Sequence, residues 1–442
     1  MKRTLSLLLC ALIALSFAFA STTRAQDKIT IKFMGWGQPS EQQIFQTVFD
    51  EYQKVNPNVT VEYVNVPPGE FLQKLQTLAA ADDLPDVFYM ADGWFGSWVS
   101  RGLLLPIQDM IPADQLKDVW PAAIARYSYD GTVVGQGTLY ALPKDLGPFV
   151  MVYNKDLFDA KGVAYPATDG SWTWDKALED YKKLTEFDAD GKPVSFGIGD
   201  IPPEAVVWTN GADFMNEDRT KVTVDDPLFT EAIQWRADLA NVHHVMPNAQ
   251  DLASQGAYDM WLAGKIGTFV MGPWDQPAFW ELPFKWDIGF FPSSPRTMTP
   301  AMWTGSMGYA VSAKTAHPKE AVDVLRYLSL SEQGQRQFYQ LGQQAPNLIS
   351  MAEGEFLKWD KAPASRFVFL DNIRKYGHNT PGTYVSNTKW IDTMWQELAP
   401  VWDGSMSAAD WGKEWAPQLN DILNETDQIR SIPYGNPLPK AK

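Results

Sequence analysis

The sequence predicts an α/β protein made of two lobes between which the chain passes more than once. Three observations carry this. The amino-terminal part alternates strand and helix patterns as β-α-β-α-β, the order of a parallel doubly wound sheet. A second strand-bearing unit is compressed into residues 260–277, M-W-L-A-G-K-I-G-T-F-V-M-G-P-W-D-Q-P. No linker, low-complexity tract or solenoid repeat separates the two units, so the lobes must interleave.

Along the first unit, Ile29, Ile31 and Phe33 alternate with Thr30 and Lys32, a first strand ending at Gly35-Trp36-Gly37-Gln38. Ser40 is placed to cap the next helix, with Gln43 completing a capping box, and Ile44, Phe45, Val48, Phe49 and Tyr52 form its apolar stripe. A strand over 59–64 and a helix carrying Phe71, Leu72, Leu75, Leu78 and Ala79 follow. A third strand over 86–90 stops at Ala91-Asp92-Gly93-Trp94. Trp36, Asp92 and Trp94 thus all fall just beyond strand carboxyl ends, where open α/β sheets bind ligands.

In the second unit, a helix carrying Tyr258, Trp261 and Leu262 stops at Gly264, a residue type that tolerates the left-handed conformation past a helix end. The apolar run 266–271 reads as a buried parallel strand, and Gly272-Pro273 delivers Trp274 and Asp275 at its end. An indole beside a carboxylate suits a sugar ring: the aromatic face covers C–H groups and the carboxylate takes hydroxyls. The competing reading is a core Trp with Asp capping the next turn. Between the units, 140–143 and 149–153 are short apolar runs, Trp174-Asp175 opens a helix, and Asp226-Pro227 is an N-cap with proline in the first turn. A strand over 286–291, another over 309–312, helices from Pro318 and Glu332, and a helical end from Val385 complete the pattern, with Ser407 and Asp410 capping the last helix.

The 442 residues suffice for two or three domains at roughly 100–200 residues each. Residues 1–25 belong to none of them. Lys2 and Arg3 precede an apolar run, and Thr23-Arg24-Ala25 offers a cleavage position, the pattern of a secretory signal peptide. The run is too short to span a membrane comfortably. Cys10, the only cysteine, lies inside it behind the large Leu9, which argues against a lipid anchor and leaves a mature chain without thiol chemistry or disulfides. Losing Lys2, Arg3 and Arg24 moves the formal net charge from −16 to −19. Such acidity disfavours nucleic-acid binding. None of the 4 histidines has metal-ligand spacing, so no metal and no cofactor is expected. The 19 Trp, 16 Tyr and 23 Phe exceed what a core needs, so some should face a ligand.

The chain resembles the extracellular solute-binding proteins of ABC importers, in the maltose-binding-protein-like, carbohydrate-binding branch. The resemblance rests on Leu84-Pro85-Asp86-Val87, on Tyr140-Ala141-Leu142-Pro143 followed by Val152-Tyr153-Asn154-Lys155-Asp156-Leu157-Phe158, and on Thr173-Trp174-Asp175. Asn210-Gly211-Ala212-Asp213, Ala263-Gly264-Lys265, Gly272-Pro273-Trp274 and Gly305-Ser306-Met307-Gly308-Tyr309 continue the series in order. It implies a periplasmic-binding-protein-like fold with a three-segment hinge near 142–147, 287–292 and 342–347. One lobe would hold 27–143 plus 290–343, the other 144–289 plus 344–442. It further implies an exported, periplasmic or extracellular monomer that traps a neutral carbohydrate, an oligosaccharide by its indole count, through hinge closure. The closed form would meet the permease's transmembrane subunits transiently.

Cleft contacts are then expected from Trp36 and Gln38 after the first strand, Asp92 and Trp94 after the third, and Lys144 and Asp145 at the first crossing. Trp208 in the second lobe, Trp274 and Asp275, and Trp303, Gly305 and Ser306 join them, with Arg366 as a guanidinium fork for two hydroxyls. Trp390, Trp395, Trp402, Trp411 and Trp415 sit at helical spacing and read as core. The cleft candidates are Trp and Asp with a single Lys, which favours a neutral or weakly cationic sugar. A secreted glycoside hydrolase is the alternative, if two of Asp92, Asp145 and Asp275 stood about 5–9.5 Å apart across a scissile bond.

Overall fold

The computed structural model describes residues 28–305 and 307–440; the expected signal peptide and Ser306 lie outside the described residues. β1 (Ile29–Gly35) leads through α1 (Pro39–Val55) to β2 (Val59–Asn65), and α2 (Pro68–Ala80), β3 (Val87–Ala91) and α3 (Asp92–Val99) complete the expected alternation. The stripe Ile44, Phe45, Val48, Phe49 and Tyr52 is buried as the spacing requires. The helix start differs from the Ser40–Gln43 expectation. Pro39, whose fixed φ suits a first turn, already lies in the helix, and Glu41 accepts the Gln38 backbone N–H at 3.0 Å.

The chain continues through β4 (Ala141–Pro143), β5 (Val150–Asn154), α4 (Lys155–Lys161), α5 (Trp174–Leu184), β6 (Glu186–Phe187) and β7 (Pro193–Ile198). Next come α6 (Pro203–Thr209), α7 (Pro227–Asn241), α8 (Ala257–Leu262), β8 (Ile266–Met271) and β9 (Trp286–Gly289). Last are β10 (Met307–Val311), α9 (Pro318–Leu330), α10 (Glu332–Gln340), α11 (Lys389–Glu397) and α12 (Ala408–Leu423). Asp226 caps α7 by accepting the Leu228 N–H, and Gly264, at φ +72°, follows α8 as its residue type allows.

Two five-stranded sheets result, ordered β2-β1-β3-β10-β4 and β9-β5-β8-β7-β6. In the first, β1 is parallel to β2 and β3, while β10 is antiparallel to β3 and β4. In the second, β8 is parallel to β7 and antiparallel to β5, which is itself antiparallel to β9. So β8 is buried as expected but parallel to only one neighbour. Phe33, Tyr89 and Tyr309 from three adjacent strands pack edge to face in the first core, with centroids of Phe33 5.7 Å from Tyr89 and 5.5 Å from Tyr309. Trp390 and Trp411 are fully buried in the second core, with Trp395, Trp402 and Trp415 packed against it.

The chain passes between the sheets after β4, before β10 and after α10. The middle passage falls near 304–307 rather than 287–292. Phe291, Ala301 and Met302 are apolar and remain in the second core beyond the end of β9, and the Ser293 carbonyl accepts the Trp174 N–H at 2.9 Å. The other two passages are tied by one carboxamide. Buried Asn347 donates through Nδ2 to the carbonyls of Pro143 at 2.9 Å and Lys144 at 3.1 Å, while its backbone N–H reaches Gln335 Oε1 at 2.7 Å. Lys144 N–H in turn donates to the Met307 carbonyl at 2.9 Å, adding the third segment.

Asn347→Ala would leave these buried carbonyls short of a donor. Denaturant unfolding should show a loss of about 2 kcal/mol or more; a loss below about 0.5 kcal/mol would show that the crossings hold without it.

Candidate functional site

A cavity of about 340 Å³ opens where the ends of the two sheets meet. Its lining follows from strand direction. Trp36 follows β1, Tyr89 lies in β3, Asp92 opens α3 directly after it, and Lys144 and Asp145 follow β4. Trp274 follows β8. The antiparallel strands β5 and β10 bring their amino-terminal flanks to the same edge, which delivers Phe149, Trp303 and Gly305, with Met307 at the start of β10. Glu41 from the first turn of α1 and Thr380 complete the wall.

The aromatic surface has two halves. On the first-sheet side Trp36 meets Tyr89 edge to face at 5.2 Å. On the other, Phe149 contacts Trp274 at 5.0 Å and Trp303 at 4.1 Å. Gly147, at φ +46°, lies beneath them; a Cβ there would collide with the Gly305 carbonyl oxygen and reach the Trp274 ring.

The charges in the wall are held from behind. Lys144 Nζ lies 2.6 Å from Asp145 Oδ2, both buried. Asp92 Oδ2 lies 3.6 Å from Nε of Arg126, which is 1% exposed and also donates to the Thr304 carbonyl between Trp303 and Gly305. Glu41 accepts from Gln343 Nε2 at 2.9 Å in addition to the Gln38 N–H. Behind Trp274, the Asp275 carboxylate accepts the Gly272 N–H at 2.9 Å and contacts the Tyr258 hydroxyl. Desolvation, reinforced by the charge of Glu41, pushes the Asp275 carboxyl up to about 7.

Seven of the expected residues therefore line one cavity: Trp36, Asp92, Lys144, Asp145, Trp274, Trp303 and Gly305. Five others are elsewhere. Gln38 is exposed at the start of α1. Trp94 stands one layer back, stacked on Phe71 at 6.3 Å. Asp275 caps its own turn, the competing reading for it. Trp208 has no exposed surface and donates Nε1 to Asp213 at 3.0 Å, because in the last turn of α6 it points to the packed side. Arg366 is 2% exposed and spends its guanidinium on the carbonyls of Trp359, Pro363 and Ala362 at 2.8–3.0 Å, so it organises a loop and cannot fork a ligand. The sequence reading did not single out Glu41, Tyr89, Phe149, Met307 or Thr380. Tyr89 and Phe149 were hidden in apolar strand patterns, Glu41 in a helical turn, and Thr380 in a stretch without a motif.

The family model for bacterial extracellular solute-binding proteins matches residues 36–335 of this chain. A maltotriose-binding protein of Pyrococcus abyssi (strain GE5 / Orsay) is 26% identical over 237 residues, 54% of this chain and 48% of the relative; the chain thus spans about half the length of that relative. An arabinooligosaccharide-binding protein of Halalkalibacterium halodurans is 27% identical over 61% of this chain and 59% of its own. In fold, the chain is similar to an ABC substrate-binding protein of Listeria monocytogenes solved in complex with cycloalternan, with a TM-score of 0.79, 24% identity and coverage of 90% of this chain and 100% of that one.

The raised Asp275 carboxyl predicts a pH effect. Its value of about 7 lies above the unfolded 3.8, so between these values the unfolded chain releases this proton first and the group costs stability as pH rises. Asp275→Asn, which keeps an acceptor for Gly272, should melt several degrees above the parent at pH 8 and with it at pH 4. Equal differences at both pH values would show an ordinary carboxyl.

Proposed function

The chain belongs to the bacterial extracellular solute-binding protein family, and on that premise we propose that it traps a saccharide in the cavity between its sheets and passes it unaltered to an ABC permease. The observation that carries this reading is the division of the aromatic wall. Trp36 and Tyr89 stand on one sheet, Phe149, Trp274 and Trp303 on or beside the other, with carboxylates and an ammonium between them. Ring faces for C–H surfaces and fixed charges for hydroxyls are what a sugar requires. Relatives that bind maltotriose and arabinooligosaccharides support an oligosaccharide.

Each sheet is the centre of one lobe, and the crossings bundled around Asn347 act as the hinge. A saccharide touching both aromatic halves stabilises the closed arrangement, which presents a joint surface to the permease. A dissociation constant near micromolar, about −8 kcal/mol, allows capture and release. The exported chain acts as a monomer, in the periplasm or at the outer surface, and meets its permease transiently. The family is one of binding proteins, not enzymes. The carboxylates fit that role: Asp92 is tied to Arg126 and Asp145 to Lys144, each held in place by a cation in the wall.

A thermal-shift screen over mono- and oligosaccharides tests the reading, since a ligand of the native state raises the melting temperature. The bound saccharide should be recovered intact and in stoichiometric amount. Trp274→Ala should weaken binding by about tenfold or more, roughly the worth of one stacked ring; unchanged affinity by calorimetry would remove Trp274 from the site.

A further inference from the structure

Two of the three carboxylates in the cavity wall have a cation assigned to them: Lys144 at Asp145 and Arg126 at Asp92. Glu41 does not. Its oxygens accept only from the Gln38 N–H and the Gln343 amide, both neutral, and no Lys, Arg or His among the described residues stands within salt-bridge distance. It sits in the first turn of α1. Asp275, on the far side of the cleft, also lacks a cationic partner, and the Glu41 charge reaches it and Tyr258. Glu41 and the raised Asp275 carboxyl thus lie on the two sides of the cleft that carry the indoles of Trp36 and Trp274.

Gln343, fully buried beside Glu41, gives its Nε2 to that carboxylate and holds it in place. A carboxylate without a cation and electron-rich ring faces in one cavity wall ask for the same thing: a compact cation with several N–H groups.

We propose that the captured saccharide carries a protonated amine, and that Glu41, with the indole faces of the cavity, selects this amino sugar over its neutral counterparts. The proposal rests on the saccharide reading of the cavity. It adds that the amine lies at the Glu41 end, where it supplies the cation this carboxylate lacks as the lobes close. The ligand's charge thereby becomes part of the closure equilibrium.

The test is calorimetry at low salt and pH 6.5 with three disaccharides: the glucosamine dimer, its N-acetylated form and maltose. The amine-bearing dimer should bind about tenfold or more tighter than the acetylated one, and the ratio should shrink as salt is raised. Glu41→Gln, which keeps the shape and an acceptor, should reduce the ratio to about threefold or less. Glu41→Asp, which keeps the charge, should retain more of it. Equal or tighter binding of the acetylated dimer or of maltose overturns the amine proposal and leaves the saccharide reading standing, as does a ratio indifferent to Glu41→Gln. Failure of every saccharide in the wider screen, charged or neutral, overturns both.

Discussion

β10 enters the first sheet between β3 and β4, with Met307 opposite Ala91 and Val311 opposite Val87. Because this pairing is antiparallel, the residues just before β10 arrive beside the residues just after β3, and a ligand edge is made from both. A slip of one residue would turn every side chain of β10 to the other face. Tyr309 would leave its contact with Phe33 and Tyr89, and Gly308, where a Cβ would lie 2.6 Å from the Tyr127 ring, would yield its place to a side chain. The register is therefore fixed by packing on both sides of the sheet, and the position of Trp303 and Gly305 is fixed with it.

The same strand explains how buried charge is tolerated beside the cavity. Burying an ion costs several kcal/mol unless it is paired and its remaining donors are used. Arg126 meets this in part: it pairs with Asp92 and donates to Thr304, just upstream of β10, while its Nε and Nη1 make no hydrogen bond among the described residues. Lys144 pairs with its neighbour Asp145 while its backbone N–H is taken by Met307. Each charge is thus anchored to a segment that belongs to the crossing or to the edge of the sheet. Their geometry is set before any ligand arrives, which reduces what binding must spend on ordering side chains.

The sequence made the strand ends legible because a strand stop is a local event. An apolar run, a glycine or proline and an indole or acid suffice to mark Trp36, Asp92 and Trp274. It did not tell which indole faces inward. Trp208 and Trp274 each follow an apolar run, but one lies on the packed face of α6 and the other at the tip of β8, and only tertiary packing separates them. Arg366 failed for a related reason: a guanidinium serves three backbone carbonyls of a tight loop as well as it serves two hydroxyls, and local sequence does not distinguish these uses. Phe149 stayed hidden because its apolar character is equally good for a strand interior. Its place at the wall follows from β5 running antiparallel to β8, a pairing made over a long sequence separation.

A wall split between two lobes has an energetic consequence. On the function proposed above, a sugar ring would meet Trp36 and Tyr89, or Phe149, Trp274 and Trp303, but not both sets, while the lobes are apart. Each set offers about one good stacking contact and leaves the opposite sugar face in water. Only the closed arrangement engages both, so most of the ligand's differential affinity appears on closure, and differential affinity is all that can shift a two-state equilibrium. Gly147 and Gly305 leave room for the rings of the second set, since a Cβ at the first would reach Trp274 and a Cβ at the second would strike Trp303. The cavity is a property of neither lobe, so on the proposed function filling it would report to a permease that a saccharide has been caught.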